Sequence, residues 1–210
     1  MKFYRYLLLL PLAAMLGACS DDDPVIPGAD FEYVDEQLAG NGGDYRGFYV
    51  LNEGQMGTNK CSLDWFDYSG HYYLRNIYSE RNPNQVMELG DTGNDVAVHD
   101  GRLYIVVTGS HKVEVLDAYT AVRIGQVDIS SPRHIAFSDT YAYVTSTVGG
   151  NENHGSVVRF KLSDLSIDGT VGVGINPEGI AMYNGQLFVA NSYDSPTGQL
   201  DSPVSVVDPS

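Results

Sequence analysis

The sequence predicts an all-β fold assembled from repeated four-stranded antiparallel units, and three observations carry that expectation. The first is a segment that occurs three times, over residues 94–107, 133–145 and 178–190. Each copy reads as an apolar run, a short polar turn and a second apolar run. The turns are Asp100-Gly101, Asp139-Thr140 and Asn184-Gly185. Asp-Gly and Asn-Gly between apolar runs are strong hairpin signals, because both turn positions need positive φ. The second observation is the period: Ala97, Ala136 and Ala181 hold the same place in their copies, 39 and 45 residues apart. Spacings of ~40–50 residues mark repeat architectures, and four short strands per repeat form a β-propeller blade. The third is composition: 23 Gly, 15 Tyr and only 19% charged residues suit strands rather than helices.

Taken from its start, the chain opens with a segment that does not belong to the fold. Lys2 and Arg5 precede an apolar stretch over 7–16, too short for a bilayer span, which needs ~20 residues. Leu16-Gly17-Ala18-Cys19 then resembles a bacterial lipobox, in which cleavage leaves the cysteine as the lipidated first residue. Residues 1–18 are expected to be a lipoprotein signal peptide, and 19–44 the lipidated Cys19 with an acidic flexible tether. Asp21, Asp22 and Asp23 with Pro24 and Pro27 favour a solvated linker. With Cys19 acylated, Cys61 has no partner for an intrachain disulfide and reads as a small buried hydrophobe.

The repeats then follow. Residues 48–52 form the first expected strand and 63–68 the next. Strands a to d of a full unit are expected at 96–98, 103–107, 113–116 and 124–129. Later copies of strand c fall at 157–160 and 204–208, and a later strand d at 166–171. The blades lie at about 45–92, 93–130, 131–174 and 175–210, the last truncated after its strand c. Seven such units need about 300 residues. About three and a half blades are therefore expected here, as a fragment of a seven-bladed propeller.

The recurring Val96-Ala97 and Ile135-Ala136 pairs, the strand 104–107 and the Val-x-Val-x-Asp run at 204–208 resemble the YncE-like, YVTN-repeat β-propellers. The stretch 48–57, with Arg75-Asn76-Ile77-Tyr78 and Arg81-Asn82-Pro83, is similar to a branch found among surface lipoproteins of Bacteroidota. Asn94-Asp95-Val96-Ala97 departs from the Pro-x-x-Ile-Ala form of that motif. The resemblance implies an outer-membrane location, lipid-anchored through Cys19 and facing the cell exterior. It implies capture of a small molecule such as a cobamide, or of a glycan, and hand-over to an outer-membrane transporter.

Functional residues are expected on the side of the b–c loops and d–a connections, because loops on a rigid scaffold carry binding groups. The b–c loops offer Asn52, Glu53, Gln55, Asn59 and His111, then Asn153, His154, Asn191 and Tyr193. The d–a connections offer Asn94, Asp95, Arg133, His134 and Glu178. Amides, carboxylates and aromatic groups suit a large polar ligand; each of these residues is also an ordinary turn or channel-lining residue. No cofactor is expected. The alternative is a metal-dependent hydrolase or lyase with the ion held by Asp95, His134 and Glu178 in a central channel. No Gly-x-Ser-x-Gly elbow or phosphate loop occurs, and a net charge of −15 with no basic patch excludes nucleic acid as a partner.

Overall fold

The computed structural model describes residues 31–33, 46–85, 88–150, 154–194, 199–200 and 203–209. The first sheet holds β1 (Phe31–Tyr33), β2 (Gly47–Asn52), β3 (Ser62–Asp67) and β4 (Tyr72–Leu74) in the order β1-β4-β3-β2. A one-turn helix, α1 (Ile77–Arg81), leads to the second sheet. That sheet is β5 (Gly93–His99), β6 (Arg102–Val107), β7 (Lys112–Asp117) and β8 (Arg123–Asp128), in chain order. The third repeats the pattern with β9 (Pro132–Phe137), β10 (Tyr141–Ser146), β11 (Ser156–Lys161) and β12 (Ile167–Gly172). The fourth has three strands, β13 (Ile180–Tyr183), β14 (Gln186–Ala190) and β17 (Val204–Val207). Between its last two strands sits a small hairpin, β15 (Tyr193–Asp194) with β16 (Gln199–Leu200).

These are antiparallel, blade-like meanders, and the strand alternation shows why they stack. In β6, Leu103, Ile105 and Val107 enter the core shared with the first sheet, beside Leu63, Ile77 and Leu89. Tyr104 and Val106 of the same strand point the other way, into the core shared with the third sheet, beside Ile135, Val144 and Phe160. A smaller core of Tyr143, Val157, Leu187 and Val189 joins the third sheet to the fourth. A strand whose two faces are both covered reads as an unbroken apolar run, as Leu103 to Val107 does. Each fully buried aliphatic side chain contributes about 1.5–3 kcal/mol, against about 0.5–1.5 for a net hydrogen bond, so inter-sheet burial outweighs the ladders. Cys61 is 3% exposed within the first core, where burial pushes its thiol up to about 11.

Two of the expected turns have the required geometry: Asp100 and Gly101 have φ of 46° and 71°, and Asn184 and Gly185 have 48° and 76°. Asp139-Thr140 differs. Ser138 joins the connection, its N–H donating to the Tyr141 carbonyl at 2.9 Å, and neither Asp139 nor Thr140 has positive φ. The stretch 19–44, expected to be tether throughout, contains β1, which pairs with β4 on the outer edge of the first sheet. The inner place of that sheet belongs to β2, which corresponds to β6 and β10 rather than to β5 and β9. The helix α1 was also not expected; five residues are too few to show a helical period.

The carboxylates closing strand c serve the hairpin side. Asp117 Oδ1 accepts from the Thr120 hydroxyl and the Tyr119 and Thr120 N–H groups at 2.9–3.0 Å. These bonds, the Thr120 hydroxyl first, hold its pKa below the ordinary value. Burial alone would raise Asp67, but the Ser69 hydroxyl and Gly70 N–H lower it overall. A lowered folded pKa means stability that is present above the unfolded value and lost as pH falls through the folded one. Urea unfolding of an Asp67→Asn, Asp117→Asn double variant should therefore show a smaller acid-induced loss of stability than the parent below about pH 4, where carboxylates protonate. Equal acid sensitivity would show that the two carboxylates do not couple to folding.

A second charge lies deeper. Glu114 is fully buried between Val113 and Val115, with Lys112 Nζ at 2.7 Å and Arg123 Nε on its other oxygen. The half-buried Arg123 is held again by Gln126 Oε1 at 2.9 Å, and its backbone N–H by Asn82 Oδ1 at 2.8 Å. Glu114→Ala would leave two cations without their shared anion, and is expected to cost about 3–5 kcal/mol in urea unfolding. A loss under about 1 kcal/mol would place the triad among exposed pairs that contribute little.

Candidate functional site

The long-loop side is where strands β5 and β9 begin and where the chain approaches β13. These inner strands of successive sheets pack side by side. At the start of β5 the ladder with β6 slips between Gly93 and Asp95, and at the start of β9 that with β10 slips between Val144 and Ser146. Each slip inserts one extra residue, a β-bulge, and bulges re-aim side chains at the ends of sheets. The pair Asn94-Asp95 and the pair Arg133-His134 occupy these equivalent kinks.

The side chains so turned meet across three sheets. Asp95 Oδ2 accepts the Ile135 N–H at 3.0 Å and lies 3.4 Å from His134 Nδ1. Its Oδ1 accepts the Val96 N–H at 2.9 Å. His134 Nε2 lies 3.7 Å from Glu178 Oε2, which takes a 2.9 Å bond from Arg133 Nε. Asn94 Nδ2 donates to the Arg133 carbonyl at 2.7 Å and lies 3.3 Å from His134 Nε2. Beneath them Thr145, fully buried, accepts the His134 N–H at 3.0 Å and donates to the Glu178 carbonyl at 2.8 Å. The four charged or ionisable side chains are 25–39% exposed, so this network is open to solvent on one side.

Sequence reading expected Asp95, His134 and Glu178 to begin strand a in three successive units. The structure brings all three together but sets Glu178 one place earlier: Ile180 pairs with Val189 as Val96 pairs with Ile105, which makes Gly179 the counterpart of Asp95. Among the described residues no group of three or more His, Cys, Asp or Glu is arranged to hold a metal ion.

The remaining expected residues fall elsewhere on the same side. Asn52 Nδ2 donates to Asp64 Oδ2 at 2.7 Å and to the Ser62 hydroxyl at 3.1 Å. Glu53, Gln55 and Asn59 are exposed in the β2–β3 loop, which Gly57 ties to Asp91 by an N–H bond of 2.8 Å. His111, also exposed, accepts the Ser131 N–H on Nδ1 at 3.0 Å. His154 is half-buried in the β10–β11 loop, while Asn153 lies outside the described residues. Asn191 Nδ2 donates to the Ser205 hydroxyl at 2.9 Å, and Tyr193 opens the β15–β16 hairpin.

Two clefts adjoin this side at the junction of the first and second sheets. One, of about 210 Å³, is lined by Asp64, Arg75, Asn76, Ser79 and Glu88 among others. The other, of about 180 Å³, is lined by Asn59, Tyr78, Gln85, Glu88, Lys112 and Glu114 among others. Sequence reading missed most of these residues. Asp64 collects bonds from Asn52, the Tyr73 hydroxyl at 2.8 Å and the Asn76 N–H at 2.8 Å. Burial, and then Asp64, push Tyr73 up to about 12. A lone Glu inside Val113-Glu114-Val115 was the available signal for the second cleft, since an unshielded charge does not sit in a buried strand.

Residues 46–200 match the family described as "Domain of unknown function (DUF5074)". No curated protein matches the chain. Among solved structures, Kuenenia stuttgartiensis hydrazine synthase is 22% identical, over 47% of this chain and 31% of that one, with a TM-score of 0.40. A functionally unknown protein from Desulfotomaculum acetoxidans is 13% identical over 58% and 41%, with a TM-score of 0.43. The computationally designed Ika8 protein is 12% identical over 75% and 48%, with a TM-score of 0.49. This chain spans less than half the length of each of the three.

The hydroxyl of Thr145 is the hinge of the polar network. Thr145→Val keeps the volume but strands the His134 N–H and the Glu178 carbonyl, and should lower unfolding stability by about 1–3 kcal/mol. Unchanged stability would mean that water replaces the hydroxyl.

Proposed function

Because the chain belongs to the DUF5074 family, whose description assigns no activity, we propose that it is a ligand-capturing module of YncE-like β-propeller type, anchored to the outer membrane through Cys19. The observation that carries this reading is the contrast between its two sides. The hairpin side spends two or three residues on each β5–β6, β9–β10 and β13–β14 turn. The long-loop side holds the bulged network of Asn94, Asp95, Arg133, His134 and Glu178, the exposed β2–β3 loop and both clefts. A rigid stack of sheets presenting varied polar loops from one side is a binding scaffold.

The ligand class follows from the groups presented. Amides, an imidazole, a guanidinium and carboxylates offer donors and acceptors in near balance, which suits a neutral molecule rich in amides or hydroxyls. A cobamide or a glycan fits that description, and the family resemblance of the sequence favours the cobamide, delivered to an outer-membrane transporter. No enzymatic family is indicated for the chain.

Calorimetric titration of the full-length soluble protein with cobalamin tests the reading. One-to-one binding is expected, and Arg133→Ala should weaken it by about tenfold or more, equivalent to about 1.4 kcal/mol. No heat of binding would remove the cobamide, and a glycan panel that also failed would overturn the capture reading. Palmitate incorporation into the parent but not Cys19→Ala tests the anchor separately.

A further inference from the structure

We propose that the inner edge of the first sheet is a strand-acceptor site, which takes an extended, basic segment of another polypeptide carrying the side-chain pattern of β9. The proposal is independent of the capture reading. β6, β10 and β14 each pair on their inner side, with β5, β9 and β13. β2 holds the same place in the first sheet and, among the described residues, pairs with β3 alone. Along an antiparallel strand, alternate residues turn their backbone groups to alternate sides. The Tyr68 N–H donates to the Arg46 carbonyl at 2.9 Å, so residues 48, 50 and 52 turn theirs to β3. Gly47, Tyr49 and Leu51 turn theirs to the open edge. β2 carries no Lys, Pro or bulge, the usual guards against an added strand.

The neighbouring sheets show that the gap is one strand wide. Val98, Phe137 and Met182 are equivalent, opposite Leu103, Ala142 and Leu187. Phe137 and Met182 pack against the core shared with the preceding sheet, and Phe137 stacks on His99 of β5 at 4.5 Å. Val98 faces the first sheet in the same way and is 61% exposed, because among the described residues no inner strand lies there to cover it. The filled lanes also define the occupant. Ala97, Ala136 and Ala181 lie opposite the rings of Tyr104, Tyr143 and Phe188. Tyr49 holds the aromatic place in β2, entering the core shared with the second sheet as Tyr104 enters the next one, so it requires a small residue opposite. In that register the following residue opposes Phe48, which is 43% exposed, and an aromatic group there forms a cross-strand pair. The net charge of −15 favours a basic strand over an acidic one.

The probe is a fluorescein-labelled peptide of residues 131–138, Ser-Pro-Arg-His-Ile-Ala-Phe-Ser, added to the full chain. Saturable one-to-one anisotropy is expected. Hydrogen exchange of the Tyr49 and Leu51 amides, rapid in the free chain, should slow at least about tenfold, while the Phe48 and Val50 amides, already bonded to β3, stay slow throughout. Val98→Asp, at an exposed position, should leave urea unfolding unchanged and weaken the peptide at least about tenfold. Ala136→Trp in the peptide should weaken it as much, through collision with Tyr49. Absence of binding, or equal binding by the Ala136→Trp peptide, overturns the proposal. So does slow exchange at Tyr49 and Leu51 without peptide; where that protection grows with protein concentration, the edge belongs to a second copy of this chain instead.

Discussion

Everything in this fold depends on the burial of one strand on both of its faces. A four-stranded sheet of this sequence has two apolar sides and cannot cover either by itself. β6 divides its residues between two cores: Leu103, Ile105 and Val107 to one, Tyr104 and Val106 to the other. A slip of one residue in its pairing would exchange the two sets and spoil both cores together. The tight Asp100-Gly101 turn, with both residues at positive φ, is the local device that forbids the slip. Because the sheets must stack, their inner strands come side by side, and the polar starts of those strands are gathered on one side of the stack. Packing brings the strand starts together, and the bulges at the starts of β5 and β9 turn the network side chains toward one another.

The first junction between sheets differs from the second. From the second sheet to the third the chain crosses by three residues, 129–131, and Ile129 is buried at once. From the first to the second it takes residues 75–92, through α1 and the buried Asn82. Asn82 Nδ2 bonds the carbonyls of Tyr78 and Ala121, at 2.8 and 3.0 Å, which staples the crossing to the second sheet. The longer crossing covers Glu114 and supplies Tyr78 and Glu88 to its surroundings. Burial raises the Tyr78 hydroxyl to about 12, and Glu114 adds to the shift. A charge can be buried at this junction because β7 and β8 supply its cations, Lys112 and Arg123, and the crossing adds Asn82, which holds the Arg123 N–H; the core at the second junction is built from apolar residues.

What could be read from the sequence, and what could not, follows the same physics. All four strands of the second and third units were legible because alternation and β-branched residues leave a period of two, and because turn residues such as Asp-Gly separate them, whereas the short β4 of the first unit was not. The burial of Cys61 was legible from its place beside a strand. β1 was not, since Phe31-Glu32-Tyr33 is three residues long and becomes a strand only by pairing with β4. The one-place offset of Glu178 was already in the repeat and was not used: Glu178 lies three residues before Ala181, whereas Asp95 and His134 lie two before Ala97 and Ala136. Glu114 was readable and was not read: a lone acid in a doubly buried strand demands cations, and Lys112 and Arg123 were both within reach.

The electrostatics of the site narrow the ligand further. The chain carries a net charge of −15, so an anion approaches against the field of the whole molecule. Arg133 is the one cation of the inner-strand network, and its Nε is already committed to Glu178. Lys112 and Arg123, beside the second cleft, are likewise committed to Glu114. Cations paired in this way orient hydrogen bonds without offering uncompensated charge, and half-exposed carboxylates beside them would penalise a ligand of net negative charge. A ligand that gains most from such a surface is uncharged, with donors and acceptors spread along its rim, because the pre-ordered side chains then contribute bonds at little cost in conformational entropy.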